Sequence, residues 1–187
     1  MKLIEIIAEA CEMLSRHDLA EKLRADGFKE SALPDEQKET LSVLVYCENA
    51  VEDELARNYF PLYASEQKLD ANGLFYFSGF KNTPVKILGV KCGGRSVDFK
   101  LHPQYVEVNA ESVEIEYTFA PAKKGLSEDS SFPLLSPALI ASGVAAEYCL
   151  IEGEVSRAES WESRYRAEID AARAKTRPDF IPPRRWV

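Results

Sequence analysis

The stretch Val113-Glu114-Ile115-Glu116-Tyr117-Thr118-Phe119 decides the fold class. Val113, Ile115, Tyr117 and Phe119 fall on one side of an extended chain, with Glu114, Glu116 and Thr118 on the other. This is the period of two expected of a strand with one face buried. Upstream, the alternation extends back to about residue 64. Between residues 96 and 101, for example, Val97, Phe99 and Leu101 alternate with Ser96, Asp98 and Lys100. Asn72-Gly73 reads as a two-residue hairpin, because both residue types tolerate positive φ. Cys92-Gly93-Gly94-Arg95 reads as a second, joining residues 85–91 to 96–101. About six short strands with closely spaced turns predict a small antiparallel sheet or sandwich. The βαβ alternation of a Rossmann-type nucleotide site is not in the pattern.

Outside this region the period becomes helical. Leu3, Ile6, Ile7, Ala10, Cys11 and Leu14 share one face of a first helix, and a polar stretch with Gly27 and Pro34 follows. Pro34-Asp35-Glu36 opens a second helix, since proline and acids suit a first turn. It carries Leu41, Leu44, Val45, Val51, Leu55 and Tyr59 along one side and stops before Pro61, as the residue preceding a proline resists helical geometry. Residues 121–133 read as a polar loop. Ser136 and Pro137 then read as N-cap and first residue of a helix bearing Ile140, Val144, Tyr148 and Ile151, with Gly153 as its left-handed cap. A last helix has Ala158, Trp161, Tyr165, Ile169 and Ala172 at steps of three and four. The plan is α+β: N- and C-terminal helices form a helical bundle, with a small antiparallel β-sheet or sandwich inserted. The expected division is 1–63 (N-terminal helices), 64–120 (β unit), 121–176 (loop and helical hairpin packing with the N-terminal helices) and 177–187. Pro178, Pro182 and Pro183 make that last segment extended or polyproline-like.

Composition narrows the function. At 187 residues and 45% hydrophobic, the chain can bury a real core. Its formal charge of −8 disfavours general binding to phosphate backbones or anionic membranes. From Arg173 onward, five cations (Arg173, Lys175, Arg177, Arg184, Arg185) and one acid, Asp179, give +4, which leaves −12 for the rest. A cationic tail on an anionic body suits docking onto an acidic neighbour, including another copy of the chain. Cys11, Cys47, Cys92 and Cys149 are scattered, with no Cys-x-x-Cys pair. Three of them fit apolar helical faces, pointing to a reducing compartment and neither disulfides nor zinc. Glu5, Glu9 and Glu12 interrupt the apolar N-terminus, so it reads as neither secretory signal nor membrane span, and the chain as one made in the cytoplasm.

Catalytic patterns are scarce. His17 and His102 have no partner at a recognised spacing, and the phosphate-loop, Gly-x-Ser-x-Gly and His-Glu-x-x-His patterns do not occur. Cys92-Gly93-Gly94-Arg95 is explained by a turn more simply than by a reactive thiol. Glu52-Asp53-Glu54 and Glu128-Asp129 read as solvated charge. No enzyme activity, cofactor or metal is expected. Trp186 stands apart. Preceded by Pro182, Pro183, Arg184 and Arg185, it has the composition of an interface anchor, because tryptophan and arginine dominate binding hot spots and prolines lower the ordering cost. The expectation is that Arg184 and Arg185 meet carboxylates on a neighbour while Trp186 fills an apolar pocket there.

The run Gly143-Val144-Ala145-Ala146-Glu147-Tyr148-Cys149-Leu150-Ile151-Glu152-Gly153, followed by Ala158-Glu159-Ser160-Trp161 and Arg164-Tyr165, resembles the C-terminal helical hairpin of phage head–tail adaptor proteins, including the podoviral tail tubular protein A type. The stretch from Tyr46-Cys47-Glu48-Asn49-Ala50-Val51 to Asn58-Tyr59-Phe60-Pro61-Leu62, the Ile115-Glu116-Tyr117 strand and the closing Ile181-Pro182-Pro183-Arg184-Arg185-Trp186 are similar too. The resemblance covers the chain from about residue 38 onward. It implies a structural virion protein that forms a homo-oligomeric ring, often of twelve copies, beneath the portal at the virion neck. Portal and tail or nozzle proteins would be its partners, the host cytoplasm its place of assembly, and no membrane would be involved. DNA would pass through an acidic lumen without specific binding, and there are no catalytic residues to carry over. The chain is short for a tail tubular protein, which leaves adaptor, stopper and tail-ring positions open. The alternative is a single helical-hairpin interaction module outside a virion, although only one such unit is visible where stable arrays need about three.

Overall fold

The computed structural model describes residues 1–176 and has the α+β architecture expected. It divides into two compact units: Met1–Val51 together with the chain from Gly125 onward, and Glu52–Lys124.

The first unit holds α1 (Leu3–Met13), α2 (His17–Arg24), most of α3 (Asp35–Glu54), α4 (Pro137–Ile151) and α5 (Val155–Thr176). α4 packs against both α1 and α5, while α1 also packs on α2. Residues 139–146 are buried without interruption, as a helix apolar on every side must be. Leu3, Ile6, Ile7, Leu41, Leu44, Ile140, Tyr165 and Ile169 complete the core. The N- and C-terminal helices therefore share one interior. Carbonyls of the 125–130 loop accept the first free N–H groups of α1, Leu3 to Glu128 at 3.0 Å and Ile4 to Leu126 at 3.2 Å, which satisfies donors a helix start leaves orphaned.

α2 lies in what the sequence presents as a polar stretch. It is short, and only Leu19, Ala20 and Leu23 are buried, too few apolar residues to stand out as a periodic pattern. Ser136 does precede α4 as its N-cap, but its side chain makes no capping hydrogen bond.

In the second unit, β1 (Leu62–Leu69), β7 (Ser112–Phe119), β3 (Pro84–Cys92) and β4 (Arg95–Ser96) form one antiparallel sheet in that order. β2 (Leu74–Tyr76), β6 (Tyr105–Val108) and β5 (Phe99–Leu101) form a second. Ile87, Val90, Val113, Ile115 and Tyr117 from the first join Phe75, Val106 and Val108 from the second in one core, making a small sandwich. The stretch that decided the fold class is its central strand, with Val113, Ile115 and Tyr117 fully buried.

Both glycine turns exist, with one correction. Gly93 and Gly94 have φ of 57° and 80° and join β3 to β4 as a hairpin. Gly73 also has positive φ, 68°. Its flanking strands do not pair with each other, however, since β1 pairs with β7 and β2 with β6. The turn passes the chain from one sheet to the other. Its placement is fixed by a tertiary bond from Val108 N–H to the Gly73 carbonyl at 2.9 Å, a constraint local sequence does not carry.

Candidate interaction surface

Pro182, Pro183, Arg184, Arg185 and Trp186, the candidate partner-binding residues, lie outside the described residues. What the structure does describe is the helical hairpin before them.

Position 143 leaves little room for any side chain. A Cβ there would sit 2.9 Å from Cε2 of buried Tyr165 and 3.0 Å from Cγ1 of Val51, so α3, α4 and α5 meet at this point. The hairpin then turns at Gly153, with φ 77°. Gly153 N–H bonds the Leu150 carbonyl at 3.1 Å and Glu154 N–H bonds that of Cys149 at 2.8 Å, the paired bonds of a Schellman cap. With its backbone thus closed, the turn leaves apolar side chains outside. Leu150 is 54% exposed, Ile151 50% and Val155 57%. Ile151 belongs to the same helix as the buried Ile140, Val144 and Tyr148, but it sits in the last turn of α4, where it is left exposed. Five acids, Glu147, Glu152, Glu154, Glu159 and Glu162, lie in or beside this turn, with Arg157 as the one cation among residues 143–162. Burial, aided by the charge of Glu162, raises the Glu147 carboxyl above its ordinary value.

The other chemistry-bearing residues are engaged in structure. His17 Nδ1 lies 2.6 Å from Glu12 Oε2, and Arg24 donates to the other oxygen of Glu12 at 2.6 Å. His102 stacks on Tyr105 with ring centroids 4.4 Å apart and reaches Glu107 at 3.0 Å. Both histidines therefore have carboxylate partners that sequence spacing did not reveal. His17 finds its partner because the chain reverses at Ser15, φ 61°, and folds α2 back toward α1. The hydrogen bond from His17, with that from Arg24, holds Glu12 below the usual carboxylate range, and those from His102 and Lys100 do the same for Glu107. Burial pushes the thiols of Cys11 and Cys47 up to about 12 and raises that of Cys149, so these three pack as small hydrophobes.

Two acids of α3 are buried, and one of them, Glu52, departs from the solvated reading. Glu48 is fully buried, and Glu52 is 2% exposed with Lys124 Nζ 3.1 Å from its carboxylate. A helix pattern cannot disclose a partner 72 residues away. Beside α2, Ser15–Leu19 with Glu36, Gln37 and Thr40 line a depression of about 430 Å³. Its cation, Arg16, is committed to Tyr148, donating to the hydroxyl at 2.6 Å. Among the described residues no group of three or more His, Cys, Asp or Glu could hold a metal ion, and no helix is long and apolar enough to cross a membrane.

No protein-family model and no curated protein matches the chain.

Proposed function

We propose that this chain is a structural virion protein, a head–tail connector or adaptor subunit that assembles as a ring between the portal and tail of a tailed phage. Its role is mechanical rather than catalytic. The observation that carries the reading is the row Leu150, Ile151 and Val155, half or more exposed at the end of the helical hairpin. Three exposed apolar side chains gathered at one turn make the kind of surface that a partner can cover. The resemblance of this same hairpin to phage adaptors supplies the class of partner. The acidic body supports a lumen that DNA traverses without adhering.

Native mass spectrometry and negative-stain microscopy of the full chain test the reading, with removal of residues 177–187 as the comparison. The full chain is expected to form a closed ring, alone or on portal, and the shortened one to stay folded and assemble poorly. A persistent monomer that ignores portal protein would overturn the proposal. So would unchanged assembly of the shortened chain for the part assigned to Arg184, Arg185 and Trp186.

A further inference from the structure

We infer that the turn between α4 and α5 is the receptor for the segment Pro182–Val187 of a neighbouring copy, so that successive subunits link head to tail. The inference rests on the connector reading and names its contact. Trp186 would lie on Leu150, Ile151 and Val155, and Arg184 and Arg185 would face Glu152 and Glu154.

Composition is the first argument. The turn offers three exposed aliphatic side chains within six residues, interspersed with Glu152 and with Glu154, whose carboxylate also accepts from Arg157 at 2.5 Å. The segment offers two arginines next to an aromatic and an aliphatic residue, with a diproline ahead of them. Cation faces anion and apolar faces apolar in the same short span, the combination found at interface hot spots. The turn is also rigid, because its backbone donors are consumed by the Schellman bonds. It therefore presents the patch at little ordering cost.

Reach decides between the chain's own turn and a neighbour's. α5 begins at Val155, beside the turn, and its last described residue is Thr176. At a rise of about 1.5 Å per residue these ends are roughly 32 Å apart. Eight residues separate Thr176 from Arg184, a span of at most about 29 Å when fully stretched. Trp186, ten residues on, spans at most about 36 Å fully stretched and about 31 Å at a polyproline rise. Docking on the same chain's turn would leave Arg184 short of it and require a nearly fully stretched segment to bring Trp186 there. A neighbour's turn carries no such restriction. Because the two surfaces differ, the contact is heterologous, and it closes into a ring or continues as a filament.

Cysteine pairing in the full chain tests this. Leu150→Cys combined with Val187→Cys is expected, on mild oxidation, to give disulfide-linked multimers that reductant returns to monomer. Leu134→Cys with Val187→Cys, whose first position is 97% exposed and away from the turn, is the control expected to stay unlinked. Arg184→Glu with Arg185→Glu should weaken association on the order of tenfold or more, and Glu152→Lys with Glu154→Lys should restore it. Absence of linkage, equal linkage at Leu134, a disulfide closed within one chain, or no restoration by the charge swap would overturn the inference. A closed ring without linkage would leave the connector reading standing and remove this contact. Linked open chains without a ring would do the reverse.

Discussion

Lys124 Nζ sits 3.1 Å from Glu52 Oε2, and these are the last and first residues of the second compact unit. The side chains of Lys124 and Glu52 are 14% and 2% exposed, so the pair is largely held out of water. Removing one member of a buried ion pair costs up to about 3–5 kcal/mol, whereas replacing both by apolar groups of similar volume is often nearly neutral. Lys124→Met should therefore lower stability in urea by that amount, and Lys124→Met with Glu52→Leu by clearly less. Equal losses from the single and double substitutions would show that the pair does not act as a unit.

Gly143→Ala tests how tightly the helical hairpin is packed. On an exposed helix the change would stabilise by about 1 kcal/mol. Here the new methyl meets the Tyr165 ring at 2.9 Å and Val51 at 3.0 Å, and Tyr165, 1% exposed, has nowhere to turn. Overpacking of this kind costs about 1–3 kcal/mol. The net expectation is a lower thermal midpoint, and a rise would mean that the three helices can separate cheaply at this point.

Much of this is legible in the sequence. The alternation from Val113 to Phe119 identified the central strand because a strand with one buried face has no other way to be written. Gly153 announced the hairpin turn for the same kind of local reason. What local pattern could not carry was pairing at a distance. Glu52 looked like one of three solvated acids until Lys124 arrived from the other end of the β unit. His17 looked isolated until the reversal at Ser15 brought it to Glu12. Asn72-Gly73 signalled a turn correctly, yet the partners of its flanking strands are chosen by β7 and β6. On the candidate surface, sequence supplied Arg184, Arg185 and Trp186. Leu150, Ile151 and Val155 emerged only from knowing which end of α4 its neighbours fail to cover.

Gly73→Ala should be severe for two separable reasons. The left-handed conformation costs a residue with a Cβ about 1–2 kcal/mol. In addition, the Cβ would stand 2.0 Å from the Val108 carbonyl oxygen, a backbone atom that cannot rotate away. Loss of the β-unit amide signals in NMR, with α-helical ellipticity retained, is the expected result. A variant whose spectrum matches the parent would refute the close approach.

The alkaline and acid limits of the β unit should both trace to one cluster. The Tyr117 hydroxyl donates to Glu66, which also accepts from Lys68 and from the Lys81 N–H at 3.0 Å. Burial, then the hydrogen bond to Glu66, pushes the Tyr117 phenol from 10.0 up to about 12. A raised folded value favours the protonated form, so this stabilisation is complete below pH 10.0 and is lost as pH rises toward about 12. Glu66 runs the other way. Burial alone would raise its carboxyl, but Lys68, Tyr117 and the Lys81 amide together hold it below 4.5. Its contribution is present above pH 4.5 and fades as pH falls through the lowered folded value. Tyr117→Phe should flatten the alkaline limb of stability against pH and leave most of the acid limb. Glu66→Gln should flatten the acid limb and also reduce the alkaline one, because the phenol then loses its charged acceptor. An alkaline limb unchanged in Tyr117→Phe would assign it to another group.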